Sequence, residues 1–211
     1  MNTKGRILAR AIALFNDQGV YQVGVRDIAR ELGISPGNLS YHFPKKEDLI
    51  NEIMKLLSEE NDQCYKHFFS GEVSLYRYLK LLRSIYNVQY TYRCIYLNIV
   101  EISKNMRAIG FDYQAVALRR AASLERIFAM LAEQGGLRPD LDAAEIATQV
   151  RFMSLINRFW LSEAAMQFHP LNPEEAISHY LRLVAYHLKA AVTEKGQAGI
   201  TRFFQEYAEY D

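Results

Sequence analysis

The residues of this chain that can act together chemically are concentrated between Val25 and Lys46. When the apolar residues of this stretch are assigned to packing, a short, polar and non-acidic set is left for the outer face. It consists of Arg26, Ser35, Gly37, Asn38, Ser40, Tyr41, His42 and Lys46. Each of these residues can contact phosphate oxygens or the edges of bases. The pattern indicates a surface that binds nucleic acid.

The motifs of the common catalytic sites are absent from the sequence. It contains no GxSxG, HExxH, SxxK, GxxxxGK or GxGxxG pattern. His169, His179 and His187 lie near one another in sequence, but no paired Cys or carboxylate completes a set of metal ligands. We therefore expect no enzyme activity, no cofactor and no metal site.

The polar surface must be positioned by short helices. Apolar residues at helical spacing predict a first helix over 4–18, which Gly19 ends. A second helix runs from Val25 to Leu32, and Gly33 supplies the left-handed backbone that a sharp turn needs. Each of these two helices is therefore predicted to end at a glycine.

A third helix is predicted to begin directly after the turn. Ser35 is a preferred N-cap and Pro36 suits the first helical position, so the helix should run from there to Phe43, where Pro44 stops it. Two short helices joined by a glycine turn form a helix-turn-helix.

Longer helices are predicted for the rest of the chain, and no strand alternation is apparent. Their expected ranges are 46–69, 74–92, 94–107, 111–134, 143–166 and 173–194. The last two have strong start signals, since Asp142 and Asn172 are capping residues followed three residues later by Glu145 and Glu175. We expect an all-α protein with domains at 1–45 and 46–194, and an aromatic tail at 195–211 that is either a short helix or frayed.

The stretch from Val25 to Phe43, VRDIARELGISPGNLSYHF, continues into Lys46, Glu47, Asp48 and Leu49. It closely resembles the signature of the TetR/AcrR family of transcriptional regulators. The resemblance covers about 50 residues and is followed by the all-helical chain of roughly 150 residues that the family carries. It implies an N-terminal helix-turn-helix domain followed by a larger ligand-binding and dimerisation domain.

The resemblance also implies a division of roles on the polar surface. The third helix would enter the major groove, with Tyr41, His42 and Lys46 on phosphates and Gly37, Asn38 and Ser40 where bases are read. Arg26 would reach either backbone or base, and the backbone near Ser35 and Pro36 would face a phosphate. The chain departs from the family pattern at Gly24, Ser40 and Lys45. Ser40 leaves open which base is read there, and Lys45 would add a phosphate contact.

The helices predicted at 143–166 and 173–194 are apolar on more than one side, so something besides their own core should cover them. In the TetR family, the same helices of a second subunit provide this cover, which implies a homodimer on a palindromic operator. The aromatic middle helices suggest an effector pocket. Its expected residues are Tyr86, Tyr90, Asn98, Tyr113, Phe152, Asn157 and Trp160.

Composition adds weak constraints. The net charge is +1, and residues 1–50 carry seven Lys and Arg against five Asp and Glu, so any DNA contact depends on a local patch. No apolar run of membrane-spanning length and no CxxC pair occur, which predicts a cytoplasmic protein without membrane contact.

The sequence thus predicts a dimeric repressor that a small apolar effector releases from double-stranded DNA. A nucleoid-associated or protein-binding protein of the same fold is the alternative.

Overall fold

The structure is a computed structural model that describes residues 2–105 and 109–208. Within these ranges the chain is helical and forms no strand, as the sequence predicts; one isolated antiparallel bridge joins Leu137 to Val192. The helices are α1 (Thr3–Gln18), α2 (Val25–Leu32), α3 (Pro36–His42), α4 (Lys46–Phe69), α5 (Leu75–Thr91), α6 (Arg93–Leu97), α7 (Ile99–Lys104), α8 (Tyr113–Glu133), α9 (Ala143–Gln167), α10 (Pro173–Leu188) and α11 (Glu194–Glu206).

The start signals of the two longest C-terminal helices are confirmed. At α9, the Glu145 N–H donates to the Asp142 carboxylate at 2.8 Å, and the Asp142 N–H donates to the Glu145 carboxylate at 3.0 Å. At α10, the Asn172 side chain accepts from the Glu174 N–H at 3.1 Å. These bonds satisfy backbone donors that a helix leaves unpaired at its N-terminus.

The single helix predicted over 94–107 is wrong, because α6 and α7 are separate. The break lies at Asn98, whose side-chain amide donates to the Cys94 carbonyl at 2.9 Å while its backbone leaves the helical conformation. An asparagine that binds the backbone in this way competes with helix propagation. Positions 106 and 107 of the predicted helix lie outside the described residues.

The helix predicted over 173–194 ends early, at Leu188, and the tail forms its own helix α11. Thr193 caps α11, since its hydroxyl accepts from the Gly196 N–H at 3.1 Å. A Cβ added at Gly196 would lie 2.0 Å from the Gly136 carbonyl oxygen, so only glycine fits this approach. Phe203 is buried beyond it. Tyr210 of the predicted aromatic tail lies outside the described residues.

The described residues group into two compact units. The first unit takes its residues from the ranges 1–60 and 91–113, and the second unit from 61–90 and 114–211. The first unit therefore contains α1, α2, α3, α6 and α7 with the beginning of α4. The second unit contains α9, α10 and α11 with most of α5 and α8 and the end of α4.

An asparagine clamp ties the later part of the first unit to α1. The Asn16 amide donates to the Thr91 carbonyl at 2.8 Å, and its carbonyl oxygen accepts from the Cys94 N–H at 2.9 Å. Ile95 and Ile102 are buried in the same unit. Residues 91–105 are thus part of the support of the three N-terminal helices.

Candidate nucleic-acid interface

The turn between α2 and α3 has the geometry that its glycine predicts. Gly33 lies in the left-handed region, with φ 64° and ψ 29°. Its N–H donates to the Arg30 carbonyl at 3.1 Å, and the Ile34 N–H donates to the Ala29 carbonyl at 3.0 Å. These bonds close the C-terminus of α2 and direct the chain into α3.

The start of α3 is fixed by Ser35. Its hydroxyl accepts from the Asn38 N–H at 3.1 Å, and Pro36 occupies the first turn of the helix. The backbone of Asn38 is therefore held by the cap. Its side chain, like those of Ser35 and Pro36, is exposed.

The residues of α3 and its C-cap, Phe43, divide sharply between core and solvent. Leu39 is fully buried and Phe43 is 2% exposed, whereas the side chain of Tyr41 is 84% exposed. Gly37 and Ser40 are exposed too, and His42 is half-buried with its ring edge-on to Tyr41 at 5.2 Å. From Leu32 to Lys46 the sequence carries no acidic residue. The predicted polar set on α3 therefore forms an outward surface without negative charge.

The two lysines that follow α3 differ in their surroundings. Lys45 is exposed, whereas Lys46 is half-buried, with its ammonium 5.7 Å from the ring centroids of both Phe15 and Tyr21. Burial lowers the pKa of Lys46 from its ordinary value, and Glu47 opposes that change. Sequence reasoning missed these rings, because Phe15 and Tyr21 precede Lys46 by 25 residues or more.

The beginning of α2 is capped from inside the helix. Gly24 has no side chain to offer, but its N–H donates to the Asp27 carboxylate at 2.9 Å, and this bond lowers the pKa of Asp27. Asp27 also pairs with Arg30 at 2.7 Å. Arg26 is exposed, as expected for a residue of the outer face.

The predicted effector residues lie in both units. Tyr86 and Trp160 are buried in the second unit, where their rings stack with centroids 4.6 Å apart. Tyr90, Phe152 and Asn157 belong to the same unit, but Asn98 and Tyr113 belong to the first. The ring of Phe152 stacks on His187 at 3.5 Å.

Sequence reasoning missed two buried polar side chains in the core of the second unit, Gln89 and Asn61. Gln89 is 4% exposed, and its side-chain oxygen accepts from the indole N–H of Trp160. The only available signal was the need of a buried tryptophan for an acceptor. Asn61 is 7% exposed, and its side-chain oxygen has no hydrogen-bond partner among the described residues.

Large apolar side chains lie exposed on α9 and α10. Leu155 and Met166 of α9 are 54% and 74% exposed, and Leu183 and Tyr186 of α10 are 44% and 76% exposed. We call these four residues the outer apolar face. None of the described helices is both long enough and apolar enough to cross a lipid bilayer.

Two family profiles match the chain. The profile described as bacterial regulatory proteins of the tetR family matches residues 7–53, and the TetR profile described as a bacterial transcriptional repressor matches residues 49–200. The chain is also similar to the HTH-type transcriptional repressor KstR2 of Mycolicibacterium smegmatis, with 24% identity over 186 residues, which cover 86% of this chain and 88% of that protein.

Solved structures show the same fold. A TetR-family transcriptional regulator from Marinobacter aquaeolei VT8 superposes with a TM-score of 0.85 at 24% identity, covering 98% of this chain and 99% of the other. The ketosteroid transcriptional regulator KstR2 of Mycobacterium tuberculosis superposes with a TM-score of 0.67 at 22% identity, covering 92% and 96%.

Proposed function

The chain belongs to the TetR family of bacterial transcriptional regulators, and from that premise we propose that it is a dimeric repressor whose α3 reads a palindromic operator. The observation that carries the proposal is the division of α3, in which Leu39 is fully buried while Tyr41 and its polar neighbours face solvent. A short helix with a polar, non-acidic outer surface suits the major groove.

The contacts divide by chemistry. Tyr41, His42, Lys45 and Lys46 bind phosphates, and Arg26 reaches either a phosphate or a base. Gly37, Asn38 and Ser40 lie toward the bases. The open space around Gly37, where an added Cβ would meet only the Ser35 hydroxyl oxygen at 3.9 Å, supports a close approach of DNA at this position.

The backbone at the start of α3 adds a phosphate contact near Ser35 and Pro36. N–H groups there point away from the helix, and the helix dipole favours an anion at this end. Pro36 itself contributes no donor. The Asn38 N–H is already bonded to Ser35, so the Gly37 N–H is the donor that we assign to the phosphate.

The outer apolar face is the proposed dimer interface. Exposed side chains as large as Met166 and Tyr186 on neighbouring helices need a partner surface, and a second copy supplies a matching one. Two copies of α3 then face two operator half-sites. In this proposal, residues 1–45 are the DNA-binding domain, residues 46–194 bind the effector and form the dimer, and residues 195–211 follow as a tail.

The proposed effector is a small, largely apolar molecule bound near Tyr86 and Trp160, with Tyr90, Phe152 and Asn157 in the same unit. Asn98 and Tyr113, the remaining residues predicted for the effector, belong to the first unit. That the structurally similar KstR2 is a ketosteroid regulator supports an apolar effector. Effector binding changes the DNA affinity by favouring one arrangement of the protein over another.

The test begins with purified full-length chain and random duplexes. Repeated selection should enrich a palindrome, and genome-wide occupancy should then show one or a few sites beside operons. Asn38→Ala should alter the preference at one base position of each half-site by about 1–3 kcal/mol, the value of a good bidentate contact. Tyr41→Phe is the matched control, since losing a phosphate contact should weaken binding to all sequences alike.

Three results would contradict the proposal. The first is a failure to enrich any sequence at low salt. The second is an equal loss of affinity on every duplex for Asn38→Ala, which would remove its base-reading role. The third is occupancy at many dispersed sites, which would favour a nucleoid-associated protein.

A further inference from the structure

The core of the second unit contains buried hydroxyl groups without hydrogen bonds. Tyr78 and Tyr86 on α5 are fully buried, Tyr180 on α10 is 3% exposed, and none of the three hydroxyls has a partner among the described residues. The side-chain oxygen of Asn61 on α4 is in the same condition. A buried polar group without a partner loses the hydrogen bonds that it makes with water in the unfolded chain. Three such hydroxyl groups in one core therefore require an explanation.

Two of the three tyrosine rings lie against the same tryptophan. Tyr86 stacks on Trp160, and the Trp160 ring lies 5.5 Å from the ring of Tyr180. Burial raises the pKa of Tyr78 well above its ordinary value, and the nearby Tyr65 and Tyr86 phenols raise it further by charge repulsion. Tyr86 and Tyr180 therefore lie against the same tryptophan, and Tyr78 precedes Tyr86 by eight residues on α5.

The chemistry of this core favours an uncharged ligand. Among the described residues, the buried polar side chains besides tyrosine are Asn61, Gln89 and Ser178, and every described Asp, Glu, Lys and Arg is at least partly exposed. A charged ligand inside the core would therefore find no fully buried counter-ion among the described residues, and a buried unpaired charge is very costly. Phenol hydroxyls donate hydrogen bonds, so the ligand should carry acceptor oxygens.

The aromatic rings do not form an open cage for a cation. The face of Tyr86 is covered by Trp160, and the ring of Tyr78 meets Phe128 at 5.9 Å in an edge-on arrangement. A quaternary ammonium group needs exposed ring faces. The hydroxyl groups, rather than the ring faces, are what this core leaves unused.

We propose that Tyr78, Tyr86 and Tyr180, here called the phenol cluster, form the hydrogen-bonding part of the effector site, and that its ligand is a neutral, mainly apolar molecule with a carbonyl oxygen. The regulatory meaning of this site rests on the proposed function. The binding itself does not depend on DNA.

The test uses full-length protein without DNA and three probes that share one carbon skeleton: 2-decalone, decalin and decalin-2-carboxylate. Trp160 is the only tryptophan of the chain and touches the cluster, so its fluorescence reports binding. The ketone should bind about tenfold more tightly than the hydrocarbon, the value of one good hydrogen bond. The carboxylate should bind more weakly than the ketone at neutral pH.

Tyrosine-to-phenylalanine variants separate the hydroxyl from the ring. Tyr78→Phe and Tyr86→Phe remove an unsatisfied oxygen, so they should fold with an unchanged or higher melting temperature. At least one should lower the affinity for 2-decalone by about tenfold and leave that for decalin unchanged. Tyr21→Phe, whose side chain is 44% exposed in the first unit, is the control that should change neither.

Three outcomes would overturn the assignment. One is equal affinity for ketone and hydrocarbon, another is ketone binding that neither core variant weakens, and the third is no binding of the ketone up to its solubility. A failure here leaves operator selection untouched, and a failure of operator selection leaves these affinities measurable. The two proposals can therefore be judged separately.

Discussion

Gly33 and Gly37 lie four residues apart in the helix-turn-helix, and only Gly33 has a backbone conformation that favours glycine. Gly33 has a left-handed backbone with open space around it, whereas Gly37 lies inside α3 with helical geometry and equally open surroundings. The first position is constrained by its own backbone. The second is not constrained by anything within the described protein.

Alanine substitutions should separate the two glycines. Gly33→Ala should lower the free energy of unfolding by about 1–2 kcal/mol, because a Cβ is disfavoured in the left-handed region. Gly37→Ala should leave it unchanged or raise it by up to about 1 kcal/mol, since alanine is the better helix former. Urea unfolding measures both. If DNA approaches α3 closely, Gly37→Ala should nevertheless weaken operator binding; unchanged affinity would remove this contact.

Substitutions of the two adjacent lysines should have the same effect on the salt dependence of DNA binding but different effects on the stability of the fold. Lys45→Ala and Lys46→Ala should each lower the slope of log affinity against log salt by about one unit, the effect of one lost phosphate contact. Only Lys46→Ala should also destabilise the fold, by about 0.5–1 kcal/mol, because its ammonium lies over Phe15 and Tyr21.

The control for the lysine pair is Lys55, an exposed lysine of α4 that pairs with Glu52 at 3.6 Å. Lys55→Ala should leave the salt slope unchanged. A slope that falls equally in all three variants would mean that the effect reflects net charge rather than defined phosphate contacts.

Asn16 should contribute more to stability than an ordinary residue of α1. Asn16→Ala removes the bonds to the Thr91 carbonyl and from the Cys94 N–H, so it should lower the free energy of unfolding by about 1–3 kcal/mol. Asn16→Asp keeps the acceptor for Cys94 and should lose less. Chemical denaturation of both variants tests this, and equal losses would show that only the bond to Thr91 contributes.

The outer apolar face should control the oligomeric state. Leu155→Glu should raise the dissociation constant of the dimer by at least about a hundredfold, because an unpaired charge at an interface costs several kcal/mol. Leu118→Glu is the control, since Leu118 is 66% exposed on α8, outside the face. Sedimentation equilibrium measures both. A dimer that survives the first variant and dissociates with the second would place the interface elsewhere.

The features that could be predicted from the sequence depend on interactions between residues that are close together in the chain. Gly33, Ser35 and Pro36 each act on the two or three residues beside them, so the turn and the start of α3 could be predicted without tertiary information. The caps at Asp142 and Asn172 are equally local. The burial of Leu39 and Phe43 follows from helical spacing alone.

Contacts between distant residues explain what was missed. The clamp joins Asn16 to Cys94 across 78 positions, and Trp160 finds its acceptor in Gln89 across 71. No pattern of spacing encodes either pair. The break at Asn98 was missed for another reason: asparagine occurs in helices and at their ends, and only its bond to Cys94 decides between them here.

The asparagine clamp also bears on protein engineering. A chimeric regulator could be built from a fragment that ends soon after α3, because this fragment contains the complete helix-turn-helix. Such a fragment would lack Thr91 and Cys94, the residues with which the Asn16 side chain forms hydrogen bonds. A portable version must therefore be assembled from two separate stretches of the gene, joined by a designed linker.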